Sequence, residues 1–271
     1  MSDPILSVRN LSIDYVGPRT DFHAVRDVSF DIGRGEFFGL AGESGCGKST
    51  IAFAISRLHR PPALIRTGSQ ILLDGRDVLA LDDRALRQLR WREVAMVFQS
   101  AMNSLNPVLT IERQFYDVLR THTGMSRAAA RDRAAELLAL VDIPADRLSA
   151  YPHQLSGGMR QRVVIAICLA LNPKLLIMDE PTTALDVVVQ REILERIHKL
   201  RAELGFAVLF ITHDLALMVQ VSDRIGIMLE GQLVEVNDAQ AIYRSPQHPY
   251  TRKLWASIPR LTGERVGQGA A

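Results

Sequence analysis

The run Gly42-Glu43-Ser44-Gly45-Cys46-Gly47-Lys48-Ser49-Thr50 constrains this chain more tightly than any other stretch. It fits the pattern G-x-x-x-x-G-K-[ST], with a further glycine at position 45. Its setting is the one the pattern requires. Residues 36–41 read as a short buried strand. Ile51, Ala54, Ile55 and Leu58 then repeat with helical spacing until Pro61-Pro62 stops them. Glycines let a backbone fold round an anion with its N–H groups inward, and the helix start adds positive potential. Gly42, Ser44, Gly45, Cys46, Gly47, Lys48, Ser49 and Thr50 are therefore the candidate phosphate cradle. Lys48 would meet the β and γ phosphates, and the Ser49 hydroxyl a Mg²⁺ ion. Cys46 reads as a small filler within the loop.

A second signal lies at Asp179-Glu180. The apolar run Leu175-Leu176-Ile177-Met178 ends in these two acids. Carboxylates at the end of a buried strand are costly unless they serve a cation or a reaction. Beside a phosphate loop, Asp179 fits a ligand of the Mg²⁺ held by Ser49, and Glu180 a general base or orienter of the attacking water.

The rest of the pattern is α/β. Residues 11–15 and 28–32 alternate as half-buried strands, and 71–73 and 94–98 read as strands, the former closed by an Asp74-Gly75 turn. Residues 108–170 are mainly helical, with Leu137, Leu138 and Val141 as a stripe and Ser126 as an N-cap. Strands are expected at 175–178, 206–212, 224–229 and 232–236. A helix from 187 carries Val189, Ile193, Ile197, Leu200 and Leu204, with Gly205 just past its end.

The 271 residues, 47% of them hydrophobic, suffice for one large domain with its own core. Thirty-two basic against thirty acidic side chains weigh against a dedicated nucleic-acid binder. Arg84, Arg87, Arg90 and Arg92 beside Asp82, Asp83 and Glu93 read as a solvated mixed face. Cys46 and Cys168 cannot form a disulfide framework, which fits a reducing compartment. The first residues lack the basic head and apolar core of a secretory signal. The longest apolar run, 163–171, falls short of the about 20 residues that span a bilayer. Work at a membrane would therefore need another chain to do the spanning.

Leu155-Ser156-Gly157-Gly158, upstream of the Asp179-Glu180 pair and downstream of the glycine loop, completes an ordered set. The set resembles the ATP-binding-cassette (ABC) ATPases over residues 5–261. The resemblance implies an α/β fold: a P-loop NTPase (RecA-like) core, an N-terminal antiparallel β subdomain and a helical insertion bearing the signature. The expected boundaries are 1–99 and 165–236 for the core, 100–164 for the helical part and 237–261 for a C-terminal segment, with 262–271 a flexible tail. It further implies that Tyr15 stacks on adenine, that Gln99 senses Mg²⁺ and attacking water, and that His213 contacts the γ-phosphate. Ala184-Leu185-Asp186 resembles the loop that crosses a dimer interface. In this family two cassettes close head to tail, with ATP between the phosphate loop of one and the signature of the other. Ser156 with the N–H groups of Gly157 and Gly158, at a helix start, would supply that second anion site.

Several runs are similar to the oligopeptide, dipeptide and nickel importer branch. They are Phe98-Gln99-Ser100-Ala101-Met102-Asn103-Ser104-Leu105-Asn106-Pro107, Tyr151-Pro152-His153-Gln154, Asp179-Glu180-Pro181-Thr182-Thr183-Ala184-Leu185-Asp186 and Ser245-Pro246-Gln247-His248-Pro249-Tyr250-Thr251. Met159 after the signature, where most cassettes have glutamine, resembles the first of two non-identical ATPase subunits. The resemblance implies ATP and Mg²⁺ as cofactors and a second ATPase subunit as partner, a heterodimer being favoured over a homodimer. It also implies two membrane permeases, an extracytoplasmic solute-binding protein reached through them, and no nucleic acid. Residues 99–115 are the expected docking stretch for the permease, and the chain is expected as a peripheral protein on the cytoplasmic face of the inner membrane. Many members of this type carry a C-terminal cysteine cluster resembling an iron–sulfur site. No cysteine follows Cys168, so none is expected here. The expected function is ATP hydrolysis driving uptake of di- or oligopeptides, with nickel or another small solute as the alternative. A soluble ATPase of translation or DNA repair is the reading from another class.

Overall fold

The computed structural model describes residues 3–18, 20–99, 101–181 and 186–256, with Met102 described by its backbone alone. The chain begins with β1 (Leu6–Tyr15) and β2 (Phe22–Ile32), then β3 (Phe37–Gly42), α1 (Lys48–Ile55), β4 (Ala63–Ile65), β5 (Gln70–Leu73) and β6 (Arg76–Asp77). Next come α2 (Asp83–Arg92), β7 (Val94–Val97), α3 (Ile111–Thr123), α4 (Arg127–Leu140) and α5 (Gly157–Cys168). The last part is β8 (Leu175–Asp179), α6 (Val187–Leu204), β9 (Ala207–Ile211), α7 (Leu215–Val221), β10 (Arg224–Leu229), β11 (Gln232–Asp238), α8 (Ala239–Arg244) and α9 (Pro249–Ala256).

Two sheets divide these strands. One is antiparallel, in the order β2-β1-β5-β6 with β4 on the far part of β1. The other runs β11-β10-β3-β9-β8-β7 and is parallel except for β11 at its edge. The parallel strands are buried on both faces, which explains their unbroken apolar runs. Along β8, Leu175 and Ile177 face one hydrophobic cluster and Leu176 and Met178 the other. Along β9, Leu209 and Ile211 alternate with Val208 and Phe210 in the same way. The first cluster is closed by α1 and the antiparallel sheet, the second by α3 to α6. Among the described residues no helix is long and apolar enough to cross a membrane.

The α/β reading holds, with local departures, among them a helix expected to carry Leu58 that ends at Ile55 and the unexpected strands β4 and β6. The first two strands run longer than 11–15 and 28–32. Asn10 (φ 48°) and Asp27 (φ 51°) sit at irregularities in their pairing, and a bulge shifts the alternation that pattern reading depends on. Residues 83–92 are not merely a solvated face: Asp82 caps a helix that buries Leu86 and Leu89, broken near its end at Arg90 and Trp91. Leu204, expected on the buried stripe of α6, is 42% exposed, because Gly205 (φ 74°) ends the helix there. Ser126 does cap α4, accepting the N–H of Ala129. The expected tail at 262–271 lies outside the described residues.

Candidate functional site

The loop from β3 to α1 owes its shape to glycine. Gly42 (φ 148°), Gly45 (φ 80°) and Gly47 (φ 103°) adopt backbone angles that side chains rarely allow. A Cβ on Gly42 would lie 2.3 Å from the Met228 carbonyl oxygen, and one on Gly47 2.4 Å from that of Ala24. Inside the loop Lys48 is buried at 6% exposure, and its Nζ donates to the carbonyls of Gly42 and Glu43, both at 2.8 Å. Cys46, also buried, brings its Sγ within 3.4 Å of the same Nζ.

The sheet then brings distant residues to this loop. The phosphate loop leaves β3, His213 follows β9, Asp179 and Glu180 end β8, and Gln99 follows β7. Strand order β3-β9-β8-β7 therefore sets these groups in a row along one edge. With neighbouring strands ~4.8 Å apart, the row spans roughly 14 Å. Ser49 Oγ donates to Asp179 Oδ1 at 3.0 Å. Gln99 Nε2 donates to Glu180 Oε2 at 2.8 Å, and His213 Nδ1 lies 3.8 Å from the same oxygen. Glu180 takes a left-handed backbone angle (φ 45°) while its N–H donates to the Ile211 carbonyl at 2.9 Å. Such angles cost free energy in non-glycine residues and concentrate at functional sites.

Asp179 is 3% exposed. Burial pushes its carboxyl above the ordinary pKa, and the charge of Glu180 adds to that. The Ser49 hydroxyl and the Lys48 ammonium act the other way. A carboxylate beside a hydroxyl supplies hard oxygen donors of the kind Mg²⁺ takes, so Asp179 and Ser49 would fit that ion. The described residues include no cluster of three or more His, Cys, Asp or Glu side chains able to hold a metal.

Tyr15, at the end of β1, has its hydroxyl 3.4 Å from that of Thr50. Ser156 is the N-cap of α5 and accepts the Met159 N–H at 3.3 Å. Gly158 permits close packing there, since a Cβ would lie 2.7 Å from Val189 Cγ1 at the start of α6. Asp186 caps α6, accepting the Val189 N–H at 3.0 Å. Ala184 and Leu185 lie outside the described residues. The two helix starts differ in their caps, Gly47 for α1 and Ser156 for α5. One contact has no signal in local pattern: the Glu43 N–H donates to the Tyr250 hydroxyl at 3.3 Å, across 207 positions of sequence.

Comparison with known proteins identifies the family. Residues 25–183, which carry the loop, the signature and the acidic pair, match the family described as ABC transporter. Residues 234–269 match the oligopeptide/dipeptide transporter C-terminal region. The peptidoglycan transport ATP-binding protein YejF of Agrobacterium fabrum is 48% identical over 261 residues, covering 96% of this chain and 48% of its own length. The dipeptide transport ATP-binding protein DppD of Bacillus subtilis is 44% identical over 261 residues, covering 96% of this chain and 78% of its own. The chain thus spans less than half of the first relative. Among solved structures, the ATP-binding cassette MJ0796 in a dimeric post-hydrolysis state bound to ADP and Pi aligns with a TM-score of 0.76 and 31% identity, over 86% of this chain and 98% of that one. A glycine loop, an acidic strand end and a signature helix in one sheet-centred frame, matched over that whole stretch by one family, lead to a single assignment: the chain belongs to the ABC transporter family, as a cassette that binds and hydrolyses ATP.

Proposed function

We propose that this chain is the ATPase subunit of an importer of di- or oligopeptides, working from the cytoplasmic face of the inner membrane through separate permease subunits. The observation that carries this reading is the match of residues 234–269 to the C-terminal region of oligopeptide/dipeptide transporters. Relatives named for dipeptide and oligopeptide transport support it. A second ATPase subunit completes the assembly, a non-identical one being favoured by Met159 after the signature. A solute-binding protein delivers the peptide to the permeases. Residues 99–115 form the docking stretch. The core occupies 1–99 and 165–236, the helical part 100–164 and the C-terminal segment 237–261.

In this reading the phosphate loop wraps the β-phosphate with its N–H groups, and Lys48, steadied by its two carbonyl partners, neutralises phosphate charge. Ser49, Asp179 and Gln99 are the candidate Mg²⁺ holders, directly or through water. Mg²⁺ there would add charge neutralisation on the phosphates. Glu180 takes the proton of the attacking water, oriented by Gln99, whose amide already grips its carboxylate. His213, beside Glu180, contacts the γ-phosphate. Tyr15 stacks on adenine. Ser156, Gly157 and Gly158 serve the nucleotide of the partner cassette, and Asp186 lies at the dimer interface. Ser156 as the N-cap of α5, apart in sequence from the loop that opens α1, supports this division.

The test is a tagged pull-down from gently solubilised native membranes with mass spectrometry, followed by peptide uptake in vesicles carrying the recovered complex. The expected result is two multi-span permeases, a second cassette and ATP-dependent peptide uptake. Recovery with ribosomes or DNA enzymes would overturn the transport reading, and uptake of nickel in place of peptide would overturn the solute.

A further inference from the structure

The C-terminal segment reaches back to the phosphate loop. Glu235 on β11 accepts the N–H groups of Gln247 and His248 at 2.8 and 3.0 Å, which ties the start of α9 to the sheet edge. His248 Nδ1 accepts the Tyr250 N–H at 3.2 Å, and Thr251 is fully buried. From this anchorage the Tyr250 hydroxyl accepts the Glu43 N–H at 3.3 Å. That N–H belongs to the same peptide group as the Gly42 carbonyl, which accepts from Lys48 Nζ at 2.8 Å. The Gly42–Glu43 peptide is thus gripped on opposite edges, by the phosphate-binding lysine and by a tyrosine of the C-terminal segment. Hydrogen bonds at both ends of one amide polarise each other. Gly42, at φ 148° and paired with Met228 at the end of β3, fixes one side of this plane, and the two hydrogen bonds hold the other. Burial raises the Tyr250 pKa, with the charge of Glu43 adding to it and the Glu43 amide opposing, so the hydroxyl keeps its proton at neutral pH.

We propose that Tyr250 is a positioning residue for nucleotide binding: its hydroxyl fixes the Gly42–Glu43 peptide and, through it, the place from which Lys48 meets the phosphates. The C-terminal segment shared with peptide transporters then tunes the ATP affinity of a loop two hundred residues away. This rests on the phosphate loop being the ATP site.

The experiment uses the full chain in its assembled complex and compares wild type with Tyr250→Phe. It reads KM and kcat for ATP, the Kd of a fluorescent ATP analogue, and Tm. Removing one long neutral hydrogen bond should raise KM and Kd about threefold while kcat and Tm stay put. Tyr243→Phe, whose exposed ring packs edge-on against Trp255, should change none of them. Glu235→Gln loosens the anchorage and should raise KM in the same direction, and the double variant should show less than the sum. Wild-type KM and Kd in Tyr250→Phe would overturn the inference, as would a fall in Tm with KM unchanged. If Lys48→Ala bound the analogue as wild type does, the nucleotide site itself would be misplaced and the inference would fall with it.

Discussion

Replacing Glu180 by glutamine exchanges one oxygen for an NH₂ group and keeps the length of the side chain. The Gln99 amide, which donates to Glu180 Oε2 at 2.8 Å, would find the glutamine carbonyl oxygen in the same place. The backbone strain at φ 45° and the N–H bond to Ile211 are common to both residues. Stability should therefore change by no more than about 0.5 kcal/mol, which is about 1–2 °C in Tm. What disappears is the proton acceptor. Loss of a positioned general base costs about 10²–10⁴ in rate, or roughly 2.7–5.4 kcal/mol of barrier. Phosphate release from the assembled complex with Mg²⁺ and ATP measures the rate. Gel filtration in ATP should show the dimer accumulating, because binding is intact and turnover is not. A variant that folds normally and turns over within about threefold of wild type would refute the assignment of Glu180 as base.

Three further outcomes follow from the geometry. Burial raises the Asp179 pKa, so its ionised form costs stability: that cost is absent below the unfolded value of 3.8 and grows as pH climbs through the raised one. Asp179→Asn should thus raise Tm at neutral pH while losing Mg²⁺-dependent hydrolysis, and a lower Tm would contradict the argument. Asp74 behaves oppositely, held at about 2 by Lys174 and then Arg34. Its stabilisation is present above 3.8 and lost as pH falls towards about 2, so urea unfolding of Asp74→Asn should show a flatter acid limb. The effect is at most about 2.5 kcal/mol, and solvent screening lowers it further because the carboxylate is 25% exposed. Gly47→Ala would put a Cβ 2.4 Å from the Ala24 carbonyl at φ 103°, and should cost about 1–3 kcal/mol in thermal unfolding together with nucleotide binding in a titration.

Much of the frame was legible because its signals are local. The glycine loop, the acidic strand end and the signature each occupy consecutive residues whose backbone demands show in their types. Strands such as β8 and β9 announce themselves by apolar runs, because both of their faces are buried. Bulges at Asn10 and Asp27 hid the full length of β1 and β2, since one extra residue inverts the inside–outside alternation. The helix at 83–92 hid among charges because it buries only Leu86 and Leu89. Tyr250 was visible as part of a typical tail, but its contact with Glu43 depends on β11 and α9 returning to β3, which no local pattern encodes. The pairing of Tyr15 with Thr50 was hidden for the same reason.

The row of groups along the sheet edge also has the character of a gauge. Asp179 is paired with Ile211, and Leu40 with that same Ile211, so the ladder fixes how far each strand carries its terminal side chain. A slip of one residue would move an end group by about 3.3 Å and turn it to the opposite face. The tolerance of the chemistry is therefore inherited from Leu209, Phe210 and Met178, all buried in the core. Truncations in that apolar layer should lower turnover before they unfold the chain, and hydrolysis would then report on core packing more sensitively than a melting curve does.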